Sequence, residues 1–208
     1  MDDKLDQKIE YKDGIEMYYP ENREQWRVWL SANHTTKKAV WLIYYKPLSR
    51  KPRVSYDDAV DEAICFGWID SKPNALDEFR SVQFFAPRNP KSNWSKVNKL
   101  RVERLLAAGL MTEAGLKTVA AARQNGAWDA LNEVEEMIIP ADLLAGLEKN
   151  KIACDYFMAF PRSSKKNILE WIYNARTPET RLKRINETVT LAAENIRANH
   201  YRQPKGKK

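Results

Sequence analysis

The residues best suited to chemistry in this chain lie in one segment, where aromatic side chains alternate with charged ones. Those that could converge on a ligand are Trp68, Asp70, Arg80, Arg88, Lys91, Trp94 and Asn98. On a strand, Trp68 and Asp70 would share one face because they are two residues apart. Arg80 or Arg88 could then pair with the carboxylate. Aromatic walls with a few converging polar groups are typical of a small-molecule pocket, and also of a core corner with a satisfied ion pair.

Asn98 adds a polar group to the same region. It follows Trp94 by one helical turn and therefore lies on the apolar side of the predicted helix. A polar side chain in that position needs a partner, which the protein, water or a ligand could supply. The same mixture of residues could stack a nucleic-acid base. The sequence contains no RNP-type or zinc-finger pattern, so it gives little support for nucleic acid as a partner.

Most patterns of catalytic residues are missing from the sequence. The seven glycines form neither a dinucleotide-binding motif nor a P-loop, and no nucleophile-elbow motif is present. With His34 and His200 as the only histidines, a His-rich zinc site is excluded. The carboxylates of Asp57–Glu62 repeat at helical spacing, and we expect them on a solvated face rather than around a metal ion. We expect no cofactor and no metal, and the sequence favours a protein that is not an enzyme.

Charge is segregated along the chain, whose net charge is +7. Cations dominate residues 25–56 and 88–104, and acids dominate residues 57–80. Such blocks can attract anions, or they can face each other or water. The distant cysteines Cys65 and Cys154 fit a reducing compartment. The acidic, polar N-terminus is unlike a secretory signal and no apolar run reaches the ~20 residues that span a bilayer, so we expect a cytoplasmic protein without a membrane span.

The elements that must position these residues differ between the two halves of the chain. Strands are predicted at residues 16–19, 39–45, 68–70 and 81–86. The last two would form a hairpin around Lys72–Asn74. Helices are predicted after the capping residues Asn22, Ser55, Thr112 and Thr177, the last of which precedes Pro178, and between residues 92 and 109. From Pro140 onward every predicted element is a helix.

The pattern predicts an α+β protein: a small mixed or antiparallel sheet with helices in the N-terminal part, and an all-helical C-terminal part. The predicted divisions are a leader at 1–14, an α+β domain at 15–130, a linker at 131–139, a helical domain at 140–199 and a basic tail at 200–208.

Several motifs resemble the YdeI/OmpD-associated (OmdA) family. In the N-terminal part they are Glu24–Leu30, Val40–Leu42, Tyr56–Ala63, Cys65–Asp70 and Arg88–Asn98. In the C-terminal part they are Ile168–Ile172 and Thr177–Arg181. The likeness spans roughly residues 17–195. It implies a bacteriocin-protection protein of bacteria, linked to stress resistance and antimicrobial peptide resistance, and it supplies no catalytic residues.

We therefore expect a non-enzymatic protection protein that binds a small ligand or a protein partner through the aromatic–charged pocket. Two alternatives stay open. One is an enzyme on an anionic substrate, with Asp70 as general base and Arg88 and Lys91 holding the anion. The other is a nucleic-acid-associated protein whose basic segments and tail form one surface. The identity of the ligand and the number of subunits are left open by the sequence.

Overall fold

The computed structural model describes residues 9–200 of the chain, which divides between Asp129 and Ala130 into two compact units. The strands of the first unit are β1 (Glu10–Lys12), β2 (Ile15–Tyr18), β3 (Val40–Tyr45), β4 (Trp68–Ala75) and β5 (Arg80–Pro87). Its helices are α1 (Arg23–Asn33), α2 (Tyr56–Cys65), α3 (Lys96–Ala107) and α4 (Glu113–Gln124). The second unit contains α5 (Asn132–Glu135), α6 (Ala141–Glu148), α7 (Lys151–Ala159), α8 (Arg162–Tyr173) and α9 (Pro178–Ala193).

The described strands form one five-stranded mixed sheet in the order β1-β2-β3-β5-β4. β2 and β3 are parallel because α1 connects them, and the other neighbours are antiparallel. β3 pairs with β5 over its whole length, from Val40 opposite Phe85 to Tyr45 opposite Arg80. With helices alone in the described part of the second unit, the α+β class predicted from the sequence is confirmed.

The hairpin of β1 and β2 begins inside the segment that we expected to be a leader. Its turn consists of Asp13 and Gly14, whose φ angles are 53° and 75°. Both positions of such a turn need a positive φ, which is why an Asp-Gly pair is a strong hairpin signal. The remaining leader, residues 1–8, and the predicted tail at 201–208 lie outside the described residues.

Strand β4 continues beyond its predicted end, so the prediction of a hairpin turn around Lys72–Asn74 is wrong. The strand runs to Ala75, and the turn to β5 lies at residues 76–79. Pro73 is tolerated for two reasons. β4 is at the edge of the sheet, and its register with β5 shifts between Asp70 and Pro73; edge strands and bulges are the places where a sheet accepts proline.

One face of the sheet packs against the helices and forms the main core. Alternate residues of β3, namely Val40, Leu42 and Tyr44, belong to this core together with residues of α1 and α2. The buried indole of Trp26 donates a hydrogen bond of 3.0 Å from Nε1 to the carbonyl of Ala59, which joins α1 to α2. The opposite face of the sheet has a smaller cluster, formed by Met17, Trp41, Ile43 and Val82.

Helix α2 carries two carboxylates that are almost fully buried. Glu62 is 1% exposed and accepts hydrogen bonds of 2.6 Å from both Arg23 and Arg27 of α1. Asp61 is 3% exposed and accepts from Arg101 at 2.7 Å and from Arg104 at 2.5 Å, both on α3. We call this arrangement the α2 clamp. The predicted solvated face is therefore wrong at these two positions, because arginines from two other helices replace the water.

The same helix also meets the start of α4 at very short range. Thr112 Oγ1 donates to the carbonyl of Cys65 at 2.6 Å, and the Thr112 amide donates to it at 3.1 Å. A Cβ added to Gly115 would lie 2.3 Å from that carbonyl oxygen. Gly115 is thus required by the close approach of two helices, and not by a turn or a phosphate site.

The second unit has its own core, which includes Leu143, Phe157, Ile168 and Ile185. Its last helix begins as expected, since the side chain of Thr177 caps α9 by accepting from the Thr180 amide. Residues 131–139, expected to be a linker, contain α5, and Leu131 and Val134 are buried in this core. Within residues 9–200 no helix combines the length and the apolar character needed to cross a membrane.

The α2 clamp predicts that Glu62→Gln lowers the free energy of unfolding by about 3 kcal/mol, because it leaves two arginines around a neutral group in a buried position. The control is Glu103→Gln on α3, where the side chain is exposed and we expect no measurable loss. Chemical denaturation of both variants measures the difference. Equal stability of the two variants would show that the clamp contributes nothing.

Candidate functional site

Three of the predicted site residues come together where β4 begins and β5 ends. Asp70 and Trp68 share one face of β4, as predicted, since their partners on β5 are Phe85 and Pro87. The guanidinium of Arg88 lies 3.8 Å above the ring of Trp94. Burial lowers the pKa of Arg88 to about 10, and the nearby carboxylate of Asp70 acts in the opposite direction. Asp70, Arg88 and Trp94 therefore form one cluster.

Trp68 belongs to the core and does not line a surface. It is 1% exposed, and its Nε1 donates to the carbonyl of His34 at 3.1 Å. Its ring packs edge-on against Trp29 at 5.9 Å. The polar atom of this indole is thus satisfied within the protein, and we assign Trp68 a structural role beside the cluster.

The remaining predicted site residues have other surroundings. Arg80 begins β5 at its opposite end, where it pairs with Glu10 at 2.9 Å and Asp77 at 2.6 Å, so the suggested pairing of Arg80 with Asp70 is wrong. Lys91 is exposed in the loop after β5. Asn98 is half-buried in the first turn of α3, where its amide donates to Ser95 Oγ at 3.3 Å.

Asp70 is instead held by two residues that the sequence did not point to. The hydroxyl of Tyr56 donates to Asp70 Oδ2 at 2.8 Å, and Gln83 Nε2 donates to the same oxygen at 3.1 Å. Gln83 is 6% exposed and also donates to the carbonyl of Ser71. Burial, followed by the hydrogen bond to Asp70, raises the pKa of Tyr56 to about 12. No hydrogen bond from the described residues reaches Asp70 Oδ1.

Tyr44 adds a buried hydroxyl to this cluster. It points from β3 to the helix-covered face, is 9% exposed, and its hydroxyl has no hydrogen-bond partner among the described residues. Burial raises its pKa, and the charge of Asp70 adds to the effect. The side chain of Arg88 also contains a buried atom without a hydrogen bond. One of its terminal nitrogens donates to the carbonyl of Asn93 at 2.5 Å, but its buried Nε has no hydrogen-bond partner among the described residues.

We call these five residues, Asp70, Tyr56, Gln83, Tyr44 and Arg88, the Asp70 site. The site offers one free carboxylate oxygen and two buried groups that can donate. Buried polar atoms without partners are uncommon in proteins, and they are often completed by water or a ligand. Tyr44 and Gln83 could have been found from the alternation of β3 and β5, because a polar residue at a core position of a strand needs a partner.

The described residues contain no group of three or more His, Cys, Asp or Glu side chains that could hold a metal ion. The carboxylates of α2 are engaged with arginines in the α2 clamp. Asp70 is the one carboxylate of the Asp70 site. The arrangement is thus suited to hydrogen bonding of an organic molecule through charged and neutral groups.

Two different protein families match two separate parts of the chain. Residues 136–195 match the family described as Bacteriocin-protection, YdeI or OmpD-Associated (OmdA), and residues 18–118 match a Domain of unknown function (DUF8412). No curated protein and no solved structure matches the chain. The predicted likeness to the OmdA family is confirmed for the C-terminal part alone. The N-terminal motifs, and with them the Asp70 site, fall within the match to the domain of unknown function.

Among the described residues the hydroxyl of Tyr44 has no hydrogen bond and that of Tyr56 has one, so we expect their removal to change the free energy of unfolding differently. Tyr44→Phe should leave the free energy of unfolding unchanged or raise it by about 1 kcal/mol, because it removes a buried polar group that has no hydrogen bond. Tyr56→Phe should lower it by about 1 kcal/mol, since it breaks a hydrogen bond to a carboxylate. Thermal and chemical denaturation measure both. An equal loss in the two variants would mean that the Tyr44 hydroxyl is bonded in solution.

Proposed function

We propose that this chain, whose residues 136–195 match the OmdA family, is a non-enzymatic stress- and bacteriocin-protection protein that binds a small polar molecule at the Asp70 site. The family match supports a role in bacteriocin protection of the YdeI kind. One observation supports the binding function. The buried Tyr44 hydroxyl and the buried Arg88 Nε have no partners among the described residues, and both interact electrostatically with Asp70.

The chemistry of the site defines the class of molecule. Asp70 Oδ2 is occupied by two donors, so Oδ1 is the oxygen that can accept from a ligand. Tyr44 and Arg88 can donate to an acceptor of the same ligand. The expected ligand therefore carries an ammonium, hydroxyl or amide donor close to a carbonyl, carboxylate or hydroxyl acceptor. Amino acids, amino sugars and short peptides have this combination.

The geometry favours binding over catalysis with Asp70 as base. In that alternative, Arg88 and Lys91 would hold an anionic substrate together. Arg88 is instead packed on Trp94 and bonded to the carbonyl of Asn93, whereas Lys91 is exposed in the loop. The two cations thus have different surroundings. Asp70 is not closed off by a bidentate arginine, so its free oxygen stays available to a bound molecule.

A nucleic-acid surface receives less support from the charges. Arg27, Arg101 and Arg104 come from the two basic segments, and all three are bound to carboxylates of α2. Lys37 pairs with Glu16 at 2.6 Å. Of the thirteen cations in those segments, these four are thus paired with carboxylates within the first unit, which weakens attraction to phosphates.

We also propose that the protein acts in the cytoplasm. Both cysteines are free thiols, and Cys65 is fully buried beside Arg27 in the main core. Burial raises the pKa of Cys65 to about 11, so the thiol stays protonated and inert at neutral pH. Unpaired cysteines of this kind are typical of proteins in reducing compartments.

Ligand binding can be tested by a thermal-shift panel of amino acids, amino sugars and short peptides, followed by calorimetry on compounds that raise the melting temperature. We expect Asp70→Asn to weaken binding about tenfold or more, since a hydrogen bond to a charged group contributes about 1.5–3 kcal/mol. Tyr44→Phe should weaken it without loss of stability. Tyr11→Phe, which removes the hydroxyl of an exposed tyrosine on β1 outside the Asp70 site, is the matched control. A panel without shifts, or an unchanged affinity in Asp70→Asn, would refute the proposal.

The protective role can be tested by bacteriocin challenge of bacterial cells that lack the gene and express the chain or its variants. Survival should increase with the unmodified chain and with Tyr11→Phe, and it should fall to the level of the empty vector with Asp70→Asn. Immunoblots establish equal amounts of soluble protein. Full protection by Asp70→Asn would separate the role from this site, and the absence of protection by every version would contradict the role itself.

A further inference from the structure

A cleft of about 870 Å³ opens in the first unit, away from the Asp70 site. It lies at the place where the parallel strands β2 and β3 separate. The pairing of these strands covers two residue pairs and ends at Tyr18 opposite Leu42. Beyond that point β2 leads through Pro20 into α1, whereas β3 continues to Tyr45. The divergence leaves a gap that the following loops border without filling.

The walls of the cleft come from the ends of both strands and from the loops after them. Its lining includes Tyr18, Tyr19, Glu21, Trp29, Tyr45 and Lys51. The carboxyl ends of neighbouring parallel strands are also where many α/β proteins bind small molecules, because the chains part there in opposite directions. A volume of this size suits a small organic molecule.

The aromatic side chains of the cleft are held in place by one another. Tyr19 and Tyr45 pack edge to face with ring centroids 4.7 Å apart, and Tyr18 stacks on Trp29 at 5.6 Å. The hydroxyl of Tyr19 donates to the carbonyl of Pro52 and so ties the loop after β3 to the end of β2. Rigid rings of this kind provide apolar surface and can also attract a cation through their faces.

The charges around the cleft are mostly paired, with two exceptions among the described residues, Glu21 and Lys51. Arg80 is engaged by Glu10 and Asp77, and Glu16 is engaged by Lys37. The carboxylate of Glu21 has no ion pair among the described residues, and its charge contributes to a raised pKa of Tyr19 after the larger effect of burial.

In the described part of the chain, the second charge of the cleft without an ion pair is the ammonium group of Lys51, which lies against the face of the Tyr45 ring. Lys51 Nζ lies 4.6 Å from the centre of the Tyr45 ring. Its position indicates that this ring accepts a positive charge from the solvent side. A ligand ammonium group placed between Glu21 and the tyrosine rings would meet an unpaired carboxylate and would compete with Lys51.

We propose that this cleft binds a small organic cation with an aromatic or apolar body, its ammonium group held by Glu21 and its body packed against Tyr19 and Tyr45. Glu21 supplies the opposite charge, and the rings supply the apolar surface. An anion is disfavoured because Glu21 repels it and Arg80 is already neutralised by two carboxylates. The remaining cation, Lys51, lies against the Tyr45 ring. The inference is independent of the proposed function, since none of these residues belongs to the Asp70 site.

The probes are tyramine, its neutral counterpart 4-ethylphenol and the anion 4-hydroxyphenylacetate, which share the phenol ring and differ in charge. Calorimetry and ¹H–¹⁵N spectra of the full chain should show tyramine binding most tightly, with shifted signals at residues of the cleft. Higher salt should weaken tyramine binding, because the ion pair is exposed to solvent. Binding of the anion as tight as that of tyramine, or no binding of tyramine, would overturn the proposal.

Two variants with opposite expected effects identify the site. Glu21→Gln should weaken tyramine binding about three- to fivefold, since it removes the solvent-exposed ionic partner of the ammonium group. Lys51→Gln should strengthen it, since the competing cation is gone. Glu24→Gln, an exposed carboxylate in the first turn of α1, is the control for general charge effects. Asp70→Asn should leave tyramine binding unchanged. An equal effect of Glu24→Gln and Glu21→Gln, or a loss in Asp70→Asn, would contradict the assignment.

Discussion

Two consecutive buried carboxylates of α2, which point to different helices, organise the first unit. Glu62 binds the arginines of α1 and Asp61 binds those of α3, so three helices are joined by charge as well as by apolar contacts. Removing Glu62 would leave Arg27 without an ion pair, and removing Asp61 would do the same to Arg104. The other two arginines would keep one carboxylate each, Asp58 for Arg23 and Asp57 for Arg101. The alternation of basic, acidic and basic blocks along the sequence is therefore a folding signal. It specifies which helices lie beside α2.

The position of α2 in turn determines the Asp70 site. Tyr56 is the first residue of α2, and Ser55 caps the helix at that end, so the Tyr56 hydroxyl is presented to Asp70 on β4. At the other end, Gly115 lets α4 approach the last carbonyl of the helix. A helix held at both ends and along its sides is a rigid support. The free oxygen of Asp70 and the unpartnered hydroxyl of Tyr44 are thus kept in place without a ligand.

The two units contribute different kinds of information about function. The match to the OmdA family lies in the helical unit, and the polar site and the cleft lie in the unit that matches a domain of unknown function. The Asp70 site and the cleft are on separate parts of one sheet, the first near the start of β4 and the end of β5 and the second where β2 and β3 separate. Their chemistry also differs. One offers a carboxylate with buried donors, and the other offers aromatic rings with an exposed carboxylate.

The sequence by itself determined the fold class, most helix starts and the central strands, because caps, periodicity and β-branched runs act over a few residues. Asn22, Ser55 and Thr177 begin their helices as predicted. The strand register, the partners of the charged side chains and the burial of the polar ones were decided by the tertiary structure alone. Local spacing could not show that arginines from α1 and α3 would bury Asp61 and Glu62, nor that Tyr56 rather than Arg80 would bind Asp70. Such contacts join residues that are distant along the chain, and only the packing of the sheet and helices brings them within bonding distance.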